Sequence, residues 1–334
     1  MSLLFKFPQF MYNGIYDYCQ AGFLKNSERF NLNALNVDVK DKVFIVTGGS
    51  KGLGKVTAME IAKRGGTVHI LCRDEASGQK AVEEIKKEAT NDSIFLHLVD
   101  LSSLKNLNKF YKTFNQTHKT NKELAQCDVL IHNAGFIAEK YQLTEEGIES
   151  SFAVNSLAPY YLTKLFLPNL EASKEARVIF VSSGGMYNSK LEPKDLQFKK
   201  VWFYSGVSAY AQNKRQQVEM AKKLSQVYSG KGIRFLSMHP GWCATPGVSK
   251  SLPFMDKYLG DKVLRTPLQG ADTILWLALS KEPYEYANGD FFFDRKPVSP
   301  HYPYANTTAS EQEVNSFISQ CENLIDEIMA KNLN

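Results

Sequence analysis

Val43-Phe44-Ile45-Val46-Thr47 runs directly into Gly48-Gly49-Ser50-Lys51-Gly52-Leu53-Gly54, and this junction constrains the fold more than any other stretch. A short, β-branched apolar run reads as a buried strand. The segment from about Lys55 to Lys63 has helical spacing and stops at Arg64-Gly65-Gly66. Strand, glycine turn and helix in that order bring backbone N–H groups to a pyrophosphate at the helix N-terminus. Gly48, Ser50, Lys51, Gly52, Leu53 and Gly54 are the expected contacts. A lone glycine-rich turn is as often structural, so the elements that follow it decide.

Those elements repeat the pattern. Thr67 to Leu71 reads as a second strand ending in Cys72-Arg73-Asp74. The position after this strand faces an adenosine ribose, where an acid accepts from the 2′-hydroxyl and Arg pairs with a 2′-phosphate. Arg73, with Lys51 in the glycine turn, argues for NADP(H) over NAD(H); Asp74, one step on, pulls the other way. A helix over roughly Ala76 to Ala89 leads to strand Ile94 to Val99 and then Asp100-Leu101-Ser102. Asp100 can accept from an adenine amino group or cap the next helix. Asp128 to His132 then delivers Asn133-Ala134-Gly135, small residues along which a cofactor can lie. This succession of βα units implies a parallel sheet with right-handed crossovers and a ligand crevice at the strand C-terminal ends.

With 334 residues and no Pro/Gly/Ser-rich linker or repeat, one domain with a tail at each end is expected. The net charge of +5 is spread through mixed clusters such as Glu83-Glu84-Ile85-Lys86-Lys87-Glu88, which excludes a nucleic-acid footprint. The five cysteines are widely spaced without a C-x-x-C pair, so no metal site is expected and a reducing intracellular compartment is. That compartment is cytoplasmic or membrane-associated, with the mitochondrion left open. No apolar run reaches the length of a membrane span. The first thirty residues carry Leu3, Leu4, Phe5, Phe7, Phe10, Met11, Ile15, Tyr16, Tyr18, Phe23 and Leu24. Two readings of this arm stand: packing on its own body or a partner subunit, or lying in a membrane interface.

The second half carries the chemistry. A helix from about Thr144 to Leu170 holds Asn155 among apolar neighbours, either as a structural bend or as the holder of a relay water. Strand Arg177 to Val181 delivers Ser182-Ser183-Gly184-Gly185, where a hydroxyl can hold a substrate carbonyl. A nucleophilic role for this serine pair needs a His and an acid near it, and neither Ser182 nor Ser183 stands in a Gly-x-Ser-x-Gly setting. Tyr210-Ala211-Gln212-Asn213-Lys214 opens a long helix. Tyr and Lys four apart share a face, so the ammonium is expected to lower the phenol pKa and fit it for proton exchange at a carbonyl oxygen. The plainer alternative is a half-buried Tyr beside a solvated Lys. Strand Gly232 to Met238 ends in His239-Pro240-Gly241, with Thr245 beyond; Trp242 to Leu264, with Phe254, Met255 and Tyr258, reads as a mobile lid. Ser310 to Lys331 reads as an amphipathic helix that docks on the body or on another protein.

Taken jointly, Thr47-Gly48-x-x-x-Gly52-x-Gly54, Asp100, Asn133-Ala134-Gly135, Asn155, Ser183, Tyr210-x-x-x-Lys214 and Pro240-Gly241 resemble the short-chain dehydrogenase/reductase family over about residues 40 to 295. Gly65 to His69, Tyr210 to Gln217, Met238 to Trp242 and Asp294 to Ser299 are most similar to the branch called family member 12, within its retinol-dehydrogenase-like members. The resemblance implies Asn155, Ser183, Tyr210 and Lys214 as a catalytic tetrad, with Lys214 also on the ribose. It implies Asp100 and Leu101 at the adenine, Asn133, Ala134, Gly135, Pro240 and Gly241 along the cofactor, and Thr245 at the nicotinamide. His132 departs from the family's usual Asn, and Leu191 to Ser205 is an insertion expected to cover the site.

The expected architecture is a Rossmann-type, doubly wound α/β fold with a seven-stranded, mainly parallel sheet: an arm over 1–40, the catalytic domain over 41–300 and a helical tail over 301–334. The expected activity interconverts a small apolar carbonyl and its alcohol with NADP(H). The competing expectation is a dehydrogenase-fold structural subunit of a larger, even membrane-bound, assembly. A homo-oligomer is open on either reading.

Overall fold

The computed structural model describes residues 2–118, 124–247, 257, 259–303 and 305–331. Phe254, Met255 and Tyr258 of the expected lid lie outside them. Eight strands form one sheet: β1 (Val43–Thr47), β2 (Thr67–Cys72), β3 (Ile94–Leu98), β4 (Val129–His132), β5 (Arg177–Val181), β6 (Arg234–Met238), β7 (Phe291–Phe293) and β8 (Lys296–Pro297), in the order β3-β2-β1-β4-β5-β6-β7-β8. All neighbours are parallel except β7 and β8. The order reverses between β1 and β4, which opens the crevice where such sheets bind ligands.

The eighth strand corrects the expected seven. Asp294 and Arg295 both adopt positive φ, 47° and 57°, and so fold the chain back after β7 in a two-residue turn. Side chains without a glycine's freedom hold this conformation because each is pinned. Asp294 pairs with Arg265, and Arg295 makes two bonds to Asp272, at 2.7 and 2.6 Å.

The strands are apolar on both faces because helices cover both. On one side α3 (Gly52–Ala62), α4 (Glu75–Ala89) and, after the short α9 (Gly260–Val263), α10 (Pro267–Leu279) pack over Phe44, Val46, Val68, Ile70 and Ile131. On the other, α5 (Leu104–Thr117), α7 (Ala158–Glu171), α8 (Gly206–Val227) and α11 (Glu311–Lys331) pack over Ile45, Leu71, Leu130 and Phe180. The C-terminal helix α11 docks on this body: Phe317 and Cys321 are buried, and Tyr160 donates to Glu322 at 2.9 Å.

One helix is shorter than its sequence pattern. Residues 144–149 form a turn instead of a first helical stretch, with Gly147 at φ +75° and Leu143 bridging Glu149. Glu149 then accepts from the Ser151 and Phe152 amides, capping α6 (Ser150–Phe152), which leads through a π turn (Ala153–Leu157) into α7.

The N-terminal arm, α1 (Ser2–Asn13), a π turn (Gly14–Tyr18) and α2 (Gln20–Ser27), folds back over the ends of β6 and β7. Tyr18, Cys19 and Phe23 are buried there, whereas Tyr12, Ile15, Tyr16 and Leu24 stay exposed. Tyr18 meets His239, Trp242 and Phe293 edge-on. No described helix is long and apolar enough to cross a membrane.

Candidate active site

The glycine turn is shaped by close backbone approach. Gly48 and Gly52 have φ of +66° and +54°, and a Cβ on Gly54 would sit 2.4 Å from both the Gly48 carbonyl oxygen and Asn133 Nδ2. Thr47 organises the facing strand end, its hydroxyl accepting from the Asn133 and Ala134 amides, both at 3.0 Å, while Asn133 Nδ2 donates to the Thr47 carbonyl at 3.0 Å. Lys51, before α3, makes no side-chain cap, so the first-turn amides keep the donors that an anion needs. This cradle fits a dinucleotide diphosphate. Gly54→Ala is expected to lower unfolding free energy by about 1–3 kcal/mol, because backbone must move to admit the methyl. Urea denaturation of the variant checks it.

Around the end of β2, Arg73 and Lys51 are exposed, and both act on the Asp74 carboxylate. Asp74 itself is committed elsewhere. Its Oδ1 accepts from the Ser77 amide at 2.9 Å as the N-cap of α4, and the Ser77 hydroxyl and then this amide hold its pKa below the ordinary value. At the end of β3, Asp100 Oδ1 accepts from the Ser102 amide at 2.9 Å and its hydroxyl at 2.8 Å. Leu101 adjoins Asp100 and packs partly buried against the core. Thr245 lies over the glycine turn, its Cβ 3.6 Å from where a Gly52 Cβ would be.

Ser183 follows β5 after Ser182 and caps the short helix Gly184–Asn188, accepting from the Gly185 amide at 3.2 Å. It hydrogen-bonds Tyr210, which α8 presents one turn after its own Ser205 cap. Lys214, one turn further on, is buried and donates to the Val181 carbonyl at 2.8 Å and Gln217 Oε1 at 3.2 Å. Its ammonium stands 5.4 Å from the Tyr210 ring centroid, over the face of the ring. The expected lowering of the phenol is therefore not what this arrangement produces. Burial raises Tyr210 to about 12 against a smaller opposing effect of the Ser183 bond, and burial lowers Lys214 to about 7. The cause is that the ammonium is aimed at the Val181 carbonyl and not at the phenolic oxygen.

Asn155 sits fully buried in the π turn. Its Oδ1 accepts from the Phe136 amide at 3.0 Å, and its Nδ2 donates to the Phe136 carbonyl at 2.9 Å. Gly135 lets these parts meet: a Cβ there would lie 3.1 Å from Lys214 Nζ and 3.2 Å from Asn155 Oδ1. Sequence reasoning missed Gln217, which ties Lys214 to Asn155 by donating to the Asn155 carbonyl at 2.7 Å. The signal was available, since Gln217 is seven residues after Tyr210 on one helix face. His132, the departure from the family pattern, bonds Thr163 at 2.8 Å and stacks on Phe180; burial and Lys214 lower it to about 3.

Pro240 and Gly241 rest on Arg265. Gly241 has φ +80°, and a Cβ on it would strike the guanidinium at 2.4 Å. The insertion buries Leu191 and Leu196, and Tyr204 donates to Glu149 at 3.0 Å, while Trp202 and Phe203 are exposed. A separate cleft of about 360 Å³, lined by Tyr18, Tyr187, His239 and Tyr302 among others, includes none of the tetrad.

A family model for short chain dehydrogenases matches residues 42–192. Dehydrogenase/reductase SDR family member 12 of Homo sapiens is 46% identical over 93% of this chain and 95% of its own length. The chain is a short-chain dehydrogenase/reductase. Its similarity extends to retinol dehydrogenase 12 of Homo sapiens, 35% identical over 79% of this chain and 82% of the relative. The fold is shared with an uncharacterized protein from Mycobacterium Paratuberculosis, with a TM-score of 0.68 and 26% identity, covering 88% of this chain and 97% of that one. This dehydrogenase is thus a nicotinamide-dependent oxidoreductase acting on CH–OH groups, of the branch the sequence motifs indicate.

Proposed function

We propose that the dehydrogenase interconverts an apolar carbonyl compound and its alcohol with NADP(H), Tyr210 exchanging the proton. The observation that carries this reading is the Ser183 to Tyr210 hydrogen bond at the C-terminal edge of the sheet, beside buried Lys214. Bound nicotinamide supplies or accepts the hydride. Tyr210 gives its proton to the nascent alkoxide during reduction, and Ser183 donates to the same oxygen to hold it in line. Lys214 contributes positive charge next to the phenol, and Asn155, fixed by Phe136 and Gln217, keeps the polar path behind Lys214 in place.

The arm supports an apolar substrate. A Cβ on Gly184, beside Ser183, would be 3.5 Å from Phe10 and 3.2 Å from Tyr18, and Phe10 meets Trp242 edge-on with centroids 5.7 Å apart. These rings wall the approach to Ser183 with hydrocarbon. A substrate related to that named for the retinol dehydrogenase relative suits such a wall.

The preference for NADP(H) rests on Arg73 and Lys51 standing exposed while Asp74 is used as a helix cap. A 2′-phosphate would find two cations, against the single charge of an Asp74 carboxylate held at Ser77. Calorimetric titration with NADPH and NADH tests this. Arg73→Ala is expected to weaken NADPH binding by about 10- to 100-fold, the worth of a charge-assisted hydrogen bond, and to leave NADH nearly unchanged. Equal loss for both nucleotides would refute the assignment.

A further inference from the structure

Three histidines from separate parts of the chain converge on the outer edge of the sheet, away from the tetrad. His69 lies on β2 and His97 on β3, where the register pairs His69 with Phe95 and Leu71 with His97. The two imidazoles therefore point to the same face, the face covered by α5. His118 closes the group as the C-cap of α5. One nitrogen from each ring lies within 4.8 Å of the other two, and His69 Nδ1 to His97 Nε2 is 2.8 Å.

The surroundings are those of a built site. Phe95 and Phe114 pack on His69 with centroids 4.9 Å away, and Phe110 packs on His97 at 4.9 Å. His69 is buried, whereas His97 and His118 are partly exposed, so the group opens to solvent on one side only. Burial holds all three below their ordinary value, His69 to about 2 and His97 to about 4, with repulsion from the neighbouring histidines adding at those two. The hydrogen bond between His69 Nδ1 and His97 Nε2 puts a proton on one of these two nitrogens, and a bound cation shifts it to that ring's other nitrogen or releases it.

We propose that His69, His97 and His118 bind one zinc-class divalent cation, which ties the end of α5 to β2 and β3. Zinc takes imidazole nitrogens at about 2.0–2.1 Å, which places tetrahedral ligands roughly 3.3 Å apart. That separation falls inside the range the three nitrogens already span, so side-chain adjustment without backbone movement completes the site. The fourth position faces the open side, where water fills it. Three neutral nitrogens with no thiolate or carboxylate select a borderline metal such as Zn²⁺ over Mg²⁺ or Ca²⁺. The position also carries a consequence for the nucleotide half. β2 ends one residue before Arg73 and β3 leads to Asp100, so the cation braces the strands that deliver both.

The test uses full-length protein without an affinity tag, stripped by a chelator and dialysed. Zn²⁺ is titrated by calorimetry, and Co²⁺ is added separately to read the visible absorption of a tetrahedral centre. The wild-type chain is expected to bind one Zn²⁺ and to melt at higher temperature with it. His118→Ala sits at a helix end, and His97→Gln keeps a polar group, so both should fold with unaltered circular dichroism. Each is expected to lose about tenfold or more in Zn²⁺ affinity, since even partners one shell removed from a metal are worth that much. Failure of the wild-type protein to bind one equivalent would overturn the proposal. So would Zn²⁺ binding of equal strength in both variants, which would place the ion on other groups.

Discussion

Tyr210→Phe is expected to reduce kcat for carbonyl reduction by about 10²- to 10⁴-fold, the range spanned by a positioned proton donor. The variant keeps the ring under the Lys214 ammonium and removes only the hydroxyl that bonds Ser183. NADPH affinity and the melting temperature should therefore change little, which separates chemistry from folding. The pH dependence follows from the direction of the shift. With Tyr210 raised to about 12, the phenol is protonated through the neutral range, so its titration leaves the rate of reduction flat there. Alcohol oxidation needs the phenolate, so its rate should climb as pH rises. Lys214, lowered to about 7, carries full charge only below that pH in the protein free of cofactor. Stopped-flow turnover of an apolar ketone or aldehyde that the wild-type protein reduces reads both effects. Near wild-type kcat in the variant would remove Tyr210 from the mechanism.

What could be read from the chain alone divides by sequence distance. The order of strands, the glycine turn and the alternation of buried faces depend on local patterns, and β1 through β7 carry them plainly. The eighth strand escaped because its turn uses Asp294 and Arg295 at positive φ, where glycine or asparagine would have signalled it. Residues 144–149 read as helix because Thr144-Glu145-Glu146 suits a first helical turn, yet Gly147 and the Glu149 cap set the stretch apart. At the candidate site the residue types and order were legible, but the orientation of Lys214 was not. Spacing puts an ammonium near a phenol; it does not say that the Val181 carbonyl, from a strand thirty-three residues earlier, will claim it. Asp74 is a parallel case, a nearby acid that spacing cannot show to be bonded to the Ser77 amide as a helix cap. His69, His97 and His118 had no spacing to betray them, since strand register and the end of α5 bring them together.

The same distance effect hides the interaction whose loss should cost most in stability. Arg265 is 1% exposed, and its guanidinium makes a two-pronged pair with Asp294, at 2.5 and 2.9 Å. Its remaining hydrogens go to the Tyr18 carbonyl at 2.9 Å and the Asp17 carbonyl at 2.6 Å in the arm, and to the Pro240 carbonyl at 3.4 Å. One buried cation thus joins the β7–β8 turn, the Pro240-Gly241 loop and the N-terminal arm. Asp294→Asn isolates the charge, because Asn also accepts positive φ and has nearly the same shape. It leaves buried Arg265 without its paired carboxylate, and unfolding free energy should fall by about 3 kcal/mol or more, the low end for breaking a buried pair. Replacing both partners by apolar residues of similar volume should recover much of that loss, since the desolvation penalty of both ions disappears together. Because Tyr18 and Phe10 touch Gly184 beside Ser183, the single variant should also raise KM for apolar substrates more than it lowers kcat. A stability loss below about 1 kcal/mol, the scale of exposed ion pairs, would mean that water reaches Arg265 and that the arm is held by its aromatic contacts instead.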